Sequence, residues 1–87
     1  MENKLDGNAA GGMLQEIFPF EMTLVQTTCE GCGLTGAIGE LAVYMNSMGT
    51  IIRCPACDTV LIRVVQSKGK YLLDMRGVRI LQINTVA

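Results

Sequence analysis

The order of apolar and polar positions divides the chain into a short helical opening and a long β remainder. Between Asn8 and Phe18, the residues Ala10, Met13, Leu14 and Ile17 recur at the three- and four-residue spacing that gathers side chains on one helix face. Asp6 or Asn8 is placed to cap the start, and Pro19 limits the end. Gly11 and Gly12 oppose this helix by roughly 1 kcal/mol each relative to alanine. It is therefore expected to be short and to survive only by docking its apolar face. Residues 1–7 show no such pattern and read as frayed.

After Pro19 the pattern turns to β. Met22 to Thr28, Ile38 to Met45, Thr50 to Arg53, Thr59 to Gln66, Tyr71 to Met75 and Val78 to Ile83 read as strands, rich in Val, Ile, Leu and Thr, with a short helix as the alternative for the last. The turns between them fall at 29–33, at 46–49, where Gly49 is free to take a positive φ, and at 67–70. The expected fold is small and mostly β, about six short strands in antiparallel hairpins with a short N-terminal helix. The Thr59–Gln66 strand is apolar on both faces: Val60, Ile62 and Val64 point one way, Leu61 and Val65 the other. Small antiparallel sheets normally wet one face. The excess calls for a cover: the helix, a second copy of the chain, or a protein partner.

Eighty-seven residues make a single domain, expected to divide into an arm and helix (1–21), a core (22–66) and a C-terminal hairpin extension (67–87). Hydrophobic residues make up 49% and charged residues 17%, a globular rather than disordered balance. A core drawn from so short a chain is marginal and commonly needs a metal, disulfides or an oligomeric partner. The four cysteines are the available staple. No basic segment followed by an apolar one opens the chain as a secretory signal would, and no apolar run approaches the roughly 18–20 residues of a membrane helix. A cytoplasmic location is expected, and in a reducing cytosol clustered cysteines are metal ligands more often than disulfides.

Their spacing supports that choice. Cys29 and Cys32 are separated by two residues, as are Cys54 and Cys57, and 21 residues lie between the pairs. Two thiolates on one tight turn can reach the same ion, and two such turns facing each other complete a tetrahedral four-sulfur site. Gly31 and Gly33 let the first turn close, and Pro55 stiffens the second. One structural zinc is the leading assignment. Iron, which also accepts four sulfurs, is the alternative.

The segment Ile52 to Arg63, with Cys54-Pro55-Ala56-Cys57 followed at once by a strand, resembles the second knuckle of zinc-ribbon proteins. Cys29-Glu30-Gly31-Cys32-Gly33 resembles the first, and the likeness covers roughly residues 24–66. Rubredoxins share both knuckles but fill their cores with aromatics, whereas this chain has no Trp and only Phe18, Phe20, Tyr44 and Tyr71. Nearly the whole chain is similar to a group of short, uncharacterised bacterial proteins. They share the Leu-Asp-Gly-Asn-Ala-Ala segment of Leu5–Ala10, both knuckles, the Arg-Val-Val of Arg63–Val65 and the Leu-Asp-x-Arg-Gly of Leu73–Gly77. That resemblance implies a zinc ribbon and no known activity.

Charge adds a weaker signal. Residues 1–52 carry Lys4 against six acids, and the rest carries Arg53, Arg63, Lys68, Lys70, Arg76 and Arg79 against Asp58 and Asp74. Those six cations are the candidate nucleic-acid contacts, yet Tyr71 is the only aromatic among them to stack on a base. Asp74, Arg76 and Arg79 are expected to form local ion pairs. The chain has no histidine, no evident carboxylate pair and no nucleophile or phosphate-loop motif, and a four-cysteine site leaves zinc no open position. The expected function is thus a non-enzymatic, zinc-binding interaction module that binds protein or forms a homodimer. The alternatives are a nucleic-acid-binding ribbon and a rubredoxin-like electron carrier.

Overall fold

Alternating burial folds the middle of the chain into antiparallel hairpins. The computed structural model describes residues 3–84. It contains β1 (Asn3–Asp6), α1 (Gly11–Ile17), β2 (Gln26–Cys29), β3 (Thr35–Ala37), β4 (Ala42–Asn46), β5 (Gly49–Arg53), β6 (Val60–Ser67), β7 (Lys70–Asp74) and β8 (Val78–Gln82). Two antiparallel sheets result, one ordered β1-β4-β5-β6-β7 and one ordered β3-β2-β8. Val43, Ile52 and Ile62 pair across three neighbouring strands, and each is at most 1% exposed. A single hydrophobic cluster joins them to Val25 and Cys29 of the smaller sheet region and to Leu14 of the helix.

Among the described residues, the small mostly β architecture with one short helix is as expected, with eight strands in place of six. The additional two are β1 and β3. Residues 3–6 are not frayed: they form an edge strand, Asn3 to Asp6 pairing with Met45 to Ala42. The remainder of the expected frayed segment, Met1 and Glu2, lies outside the described residues. Two expected strands begin instead as 3-10 turns, at Met22–Leu24 and Ile38–Glu40. Their closing bonds run from the Val25 N–H to the Met22 carbonyl (3.1 Å) and from the Leu41 N–H to the Ile38 carbonyl (3.0 Å). Both turns bury an apolar residue, Met22 at 2% and Ile38 at 0% exposure, so burial is met without a strand. At the 46–49 turn Gly49 has φ +151°, and a Cβ there would sit 2.4 Å from the Val64 carbonyl oxygen.

A β-bulge corrects the two-faced reading of β6. Ile52 pairs with Ile62 but Arg53 with Val60, which leaves Leu61 as an extra residue. Leu61 and Ile62 are consequently both buried at 1% exposure, although adjacent residues of a regular strand face opposite ways. Of the supposed outward pair, only Val65 remains partly exposed.

The helix is built as its sequence suggests, with a different start. The Asp6 carboxylate accepts the Asn8 N–H at 3.1 Å and opens a 3-10 turn over Gly7–Ala10, before α1 proper. Phe18, preceding Pro19, is extended (φ −119°, ψ 142°), as the proline ring requires of its neighbour. Ala10 and Leu14 are buried, while the Tyr71 hydroxyl on β7 donates to the Glu16 carboxylate at 2.7 Å and ties the helix to the larger sheet. Gly12 faces open space, with nothing within 4 Å of a Cβ. Gly12→Ala is therefore expected to stabilise the protein by about 0.5–1 kcal/mol, read as a rise in thermal midpoint of several degrees. Among the described residues, no helix is long and apolar enough to cross a membrane.

Candidate metal centre

Each cysteine pair closes the turn of one hairpin, and the two hairpins belong to different sheets. Cys29 ends β2, and the chain turns through Cys32 into β3. Cys54 follows β5, and the chain turns through Cys57 into β6. The turns share one hydrogen-bond pattern. In the first, the Cys29 N–H donates to the Leu34 carbonyl and the Gly33 N–H to the Cys29 carbonyl, both at 2.9 Å. In the second, the Cys54 N–H donates to the Thr59 carbonyl and the Asp58 N–H to the Cys54 carbonyl, also both at 2.9 Å. Each turn reverses through a left-handed residue after its second cysteine, Gly33 (φ +78°) and Asp58 (φ +64°). Aspartate tolerates this region better than most side chains. Here the Arg53 guanidinium also donates to the Asp58 carbonyl at 3.0 Å and lies 3.6 Å from its carboxylate.

The turns bring the four sulfurs together. Cys29 Sγ and Cys57 Sγ are 3.6 Å apart, as are Cys32 Sγ and Cys54 Sγ, and all four lie within 4.8 Å of one another. A regular tetrahedron with metal–sulfur bonds of about 2.3 Å has sulfur–sulfur edges of about 3.8 Å. The cluster is thus of the size that one tetrahedral ion requires. No disulfide links the four cysteines. Cys29 and Cys54 are buried and Cys32 and Cys57 exposed, so each turn contributes one of each.

Local hydrogen bonds differentiate the sulfurs. The Gly31 N–H points at Cys29 Sγ from 3.3 Å. The Thr59 hydroxyl and backbone N–H bring the Cys57 thiol down to about 6 against the cost of burial, with Cys29 and Cys32 adding to the effect. At Cys32 the Leu34 backbone bond acts downward, but burial and the three neighbouring sulfurs outweigh it and push the thiol up to about 12. The thiolate is the form that binds metal.

The six cations singled out in the sequence are distributed over β5 to β8 and the turns between them. Arg53 and Arg63 lie on β5 and β6, and Arg53 sits 5.8 Å from the centroid of the Tyr44 ring. Lys68 lies in the β6–β7 turn and Lys70 opens β7. Arg76 forms a close pair with Asp74 (2.7 Å), whose carboxyl those hydrogen bonds hold below the usual carboxylate range. Arg79 on β8 pairs with Glu30 of the first cysteine turn at 3.2 Å, a link between remote segments that local spacing does not signal. The sequence reading also passed over Thr59, whose hydroxyl lies 3.0 Å from Cys57 Sγ. The available signal was a hydroxyl residue two positions after the last cysteine.

Fold and site together define a small mostly β protein whose four clustered cysteines can hold one metal ion. The model of DUF6510, a family of unknown function, matches residues 1–86, and the chain belongs to that family. No curated protein and no solved structure matches it.

Proposed function

We propose that this chain is a non-enzymatic interaction module of the zinc-ribbon type, built around one structural zinc held by Cys29, Cys32, Cys54 and Cys57. The observation that carries the reading is the sulfur cluster itself, drawn in equal parts from two sheets. An ion there cross-links the sheets, which is the role of a structural metal in a chain with a small core. Four thiolates fill a tetrahedral shell and leave no position for a reacting water, and the chain has no histidine to act as a general base. Elemental analysis is expected to give about one zinc per chain in a colourless protein. A red protein with one iron per chain would replace this reading with an electron carrier.

The interaction half rests on surface. With Leu61 turned inward, the apolar excess lies elsewhere: Leu24 is 70% exposed, Ile80 54% and Phe20 44%. Phe20, Leu24 and Ile83 line a shallow pocket of about 200 Å³, and β8 is an open edge of its sheet, where unpaired backbone groups favour strand addition. A homodimer or protein complex through this region is the expected working state. Light scattering at micromolar concentration should give a mass above one 9.4 kDa chain. A monomer mass without hydrophobic-dye binding would remove this half and leave the zinc assignment standing.

Nucleic-acid binding is the second reading, and it rests on the basic balance of residues 53–87. Against it, Arg53, Arg76 and Arg79 each face a carboxylate. A submicromolar complex that weakens steeply with salt and is lost in Arg63→Glu with Arg76→Glu would reverse the order.

A further inference from the structure

We propose that Thr59 is the positioning residue of the metal centre, its hydroxyl holding the exposed Cys57 sulfur on the ion and keying the second cysteine turn against the first. The inference rests on the zinc reading above. Thr59 Oγ1 is 3.0 Å from Cys57 Sγ. A metal-bound thiolate has no proton to give, so in the loaded site the hydroxyl is the donor. The same residue closes its own turn, its carbonyl accepting the Cys54 N–H at 2.9 Å.

A separate observation comes from the opposite turn. A Cβ added to Gly31 would fall 2.5 Å from Thr59 Oγ1 and 3.4 Å from Cys57 Sγ. The Thr59 hydroxyl thus lies directly against the backbone of the first turn, and Gly31 leaves it the space. Because threonine is stiff at χ1, contact on one side and the sulfur on the other fix its hydroxyl direction. The near-repeat of the two turns isolates what is special here. Leu34 takes the place of Thr59 in the first turn, offers the same backbone bond to the first cysteine and carries no hydroxyl. The hydroxyl breaks the likeness at Cys57, a sulfur that solvent reaches.

Partners that orient metal ligands typically contribute 10- to 100-fold to metal affinity. Zinc affinity is measured by competition with a chromophoric chelator for the full chain and for Thr59→Val, Thr59→Ser and Gly31→Ala. The cobalt(II)-loaded forms supply the thiolate-to-metal charge-transfer spectrum. Thr59→Val, which keeps the shape and removes the donor, is expected to weaken zinc about 10- to 100-fold and to shift the cobalt spectrum. Thr59→Ser is expected to stay within about threefold of the unaltered chain, since it retains the hydroxyl. Gly31→Ala, which drives the hydroxyl away, is expected to weaken zinc at least about 10-fold. Failure of Thr59→Val to fold at saturating zinc, with Thr59→Ser folding normally, also supports the hydroxyl. Affinity unchanged in Thr59→Val overturns the proposal. So does a serine variant as weak as the valine one, because methyl packing would then be the cause. An unaltered chain that binds no zinc overturns the zinc reading itself, a result distinct from equal binding by all four chains.

Discussion

Replacing Cys54 with serine is expected to abolish cooperative folding, and a strong chelator should do the same to the unaltered protein. Structural zinc supplies roughly 10–16 kcal/mol of apparent binding energy in small zinc-finger peptides, comparable to or above the roughly 5–15 kcal/mol of total stability of ordinary domains. The smaller sheet has three strands. Its strands are short, β3 having three residues, and it meets the larger sheet through the shared core and through local bonds such as Glu30 N–H to the Gly77 carbonyl (2.8 Å). Cys54 is 1% exposed, so the serine also puts a hydroxyl where a sulfur was buried, in addition to removing a ligand. Circular dichroism and thermal melting read the outcome. A sharp, unshifted melt in excess chelator would mean that the hydrophobic cluster stands without the ion.

The second large effect is at Gly7. A Cβ there would lie 1.6 Å from the Ile38 carbonyl oxygen, against backbone that cannot step aside as a flexible side-chain end does. Gly7→Ala is expected to cost at least about 3 kcal/mol and to lower the thermal midpoint by roughly 15 °C or more. The comparison with Gly12→Ala is the informative one. The same substitution five positions on has open space and is expected to stabilise. Equal small effects at both sites would show that the 3-10 turn at Gly7–Ala10 does not dock on the Ile38–Glu40 turn.

These packing details also give the Leu5–Ala10 segment an architectural role. Leu5 and Asp6 lie in β1, Asp6 caps the following turn, Gly7 admits the Ile38 carbonyl, and Ala10 is fully buried. The Leu73–Gly77 segment is similar in kind. Asp74 binds Arg76 and the Gly77 carbonyl accepts the Glu30 N–H.

The cysteine cluster was legible because ligand chemistry fixes its spacing: two thiolates two residues apart must share a turn. Strands β5 to β8 were legible within one or two residues because their apolar runs are bounded by clear turns. The misses have separate causes. β1 is held by a partner far along the chain, Met45 to Ala42, whereas β3 is held by Thr28 to Gln26 across the first cysteine turn, and its own short run, Thr35-Gly36-Ala37, carries little strand signal. The bulge at Leu61 is a property of a strand pair, invisible in either strand alone. The 3-10 turns at Met22 and Ile38 satisfy the same burial that an apolar strand would, so apolar content could not separate them. Thr59 was missed because its role appears only when the second turn meets Gly31 of the first.

X-ray absorption at the zinc edge of the purified protein reads the ligand shell directly. Four sulfur scatterers at about 2.3 Å and no nearer light atoms are expected. Nitrogen or oxygen scatterers at about 2.0–2.1 Å, or fewer than about four sulfurs per ion, would contradict a closed site formed by Cys29, Cys32, Cys54 and Cys57.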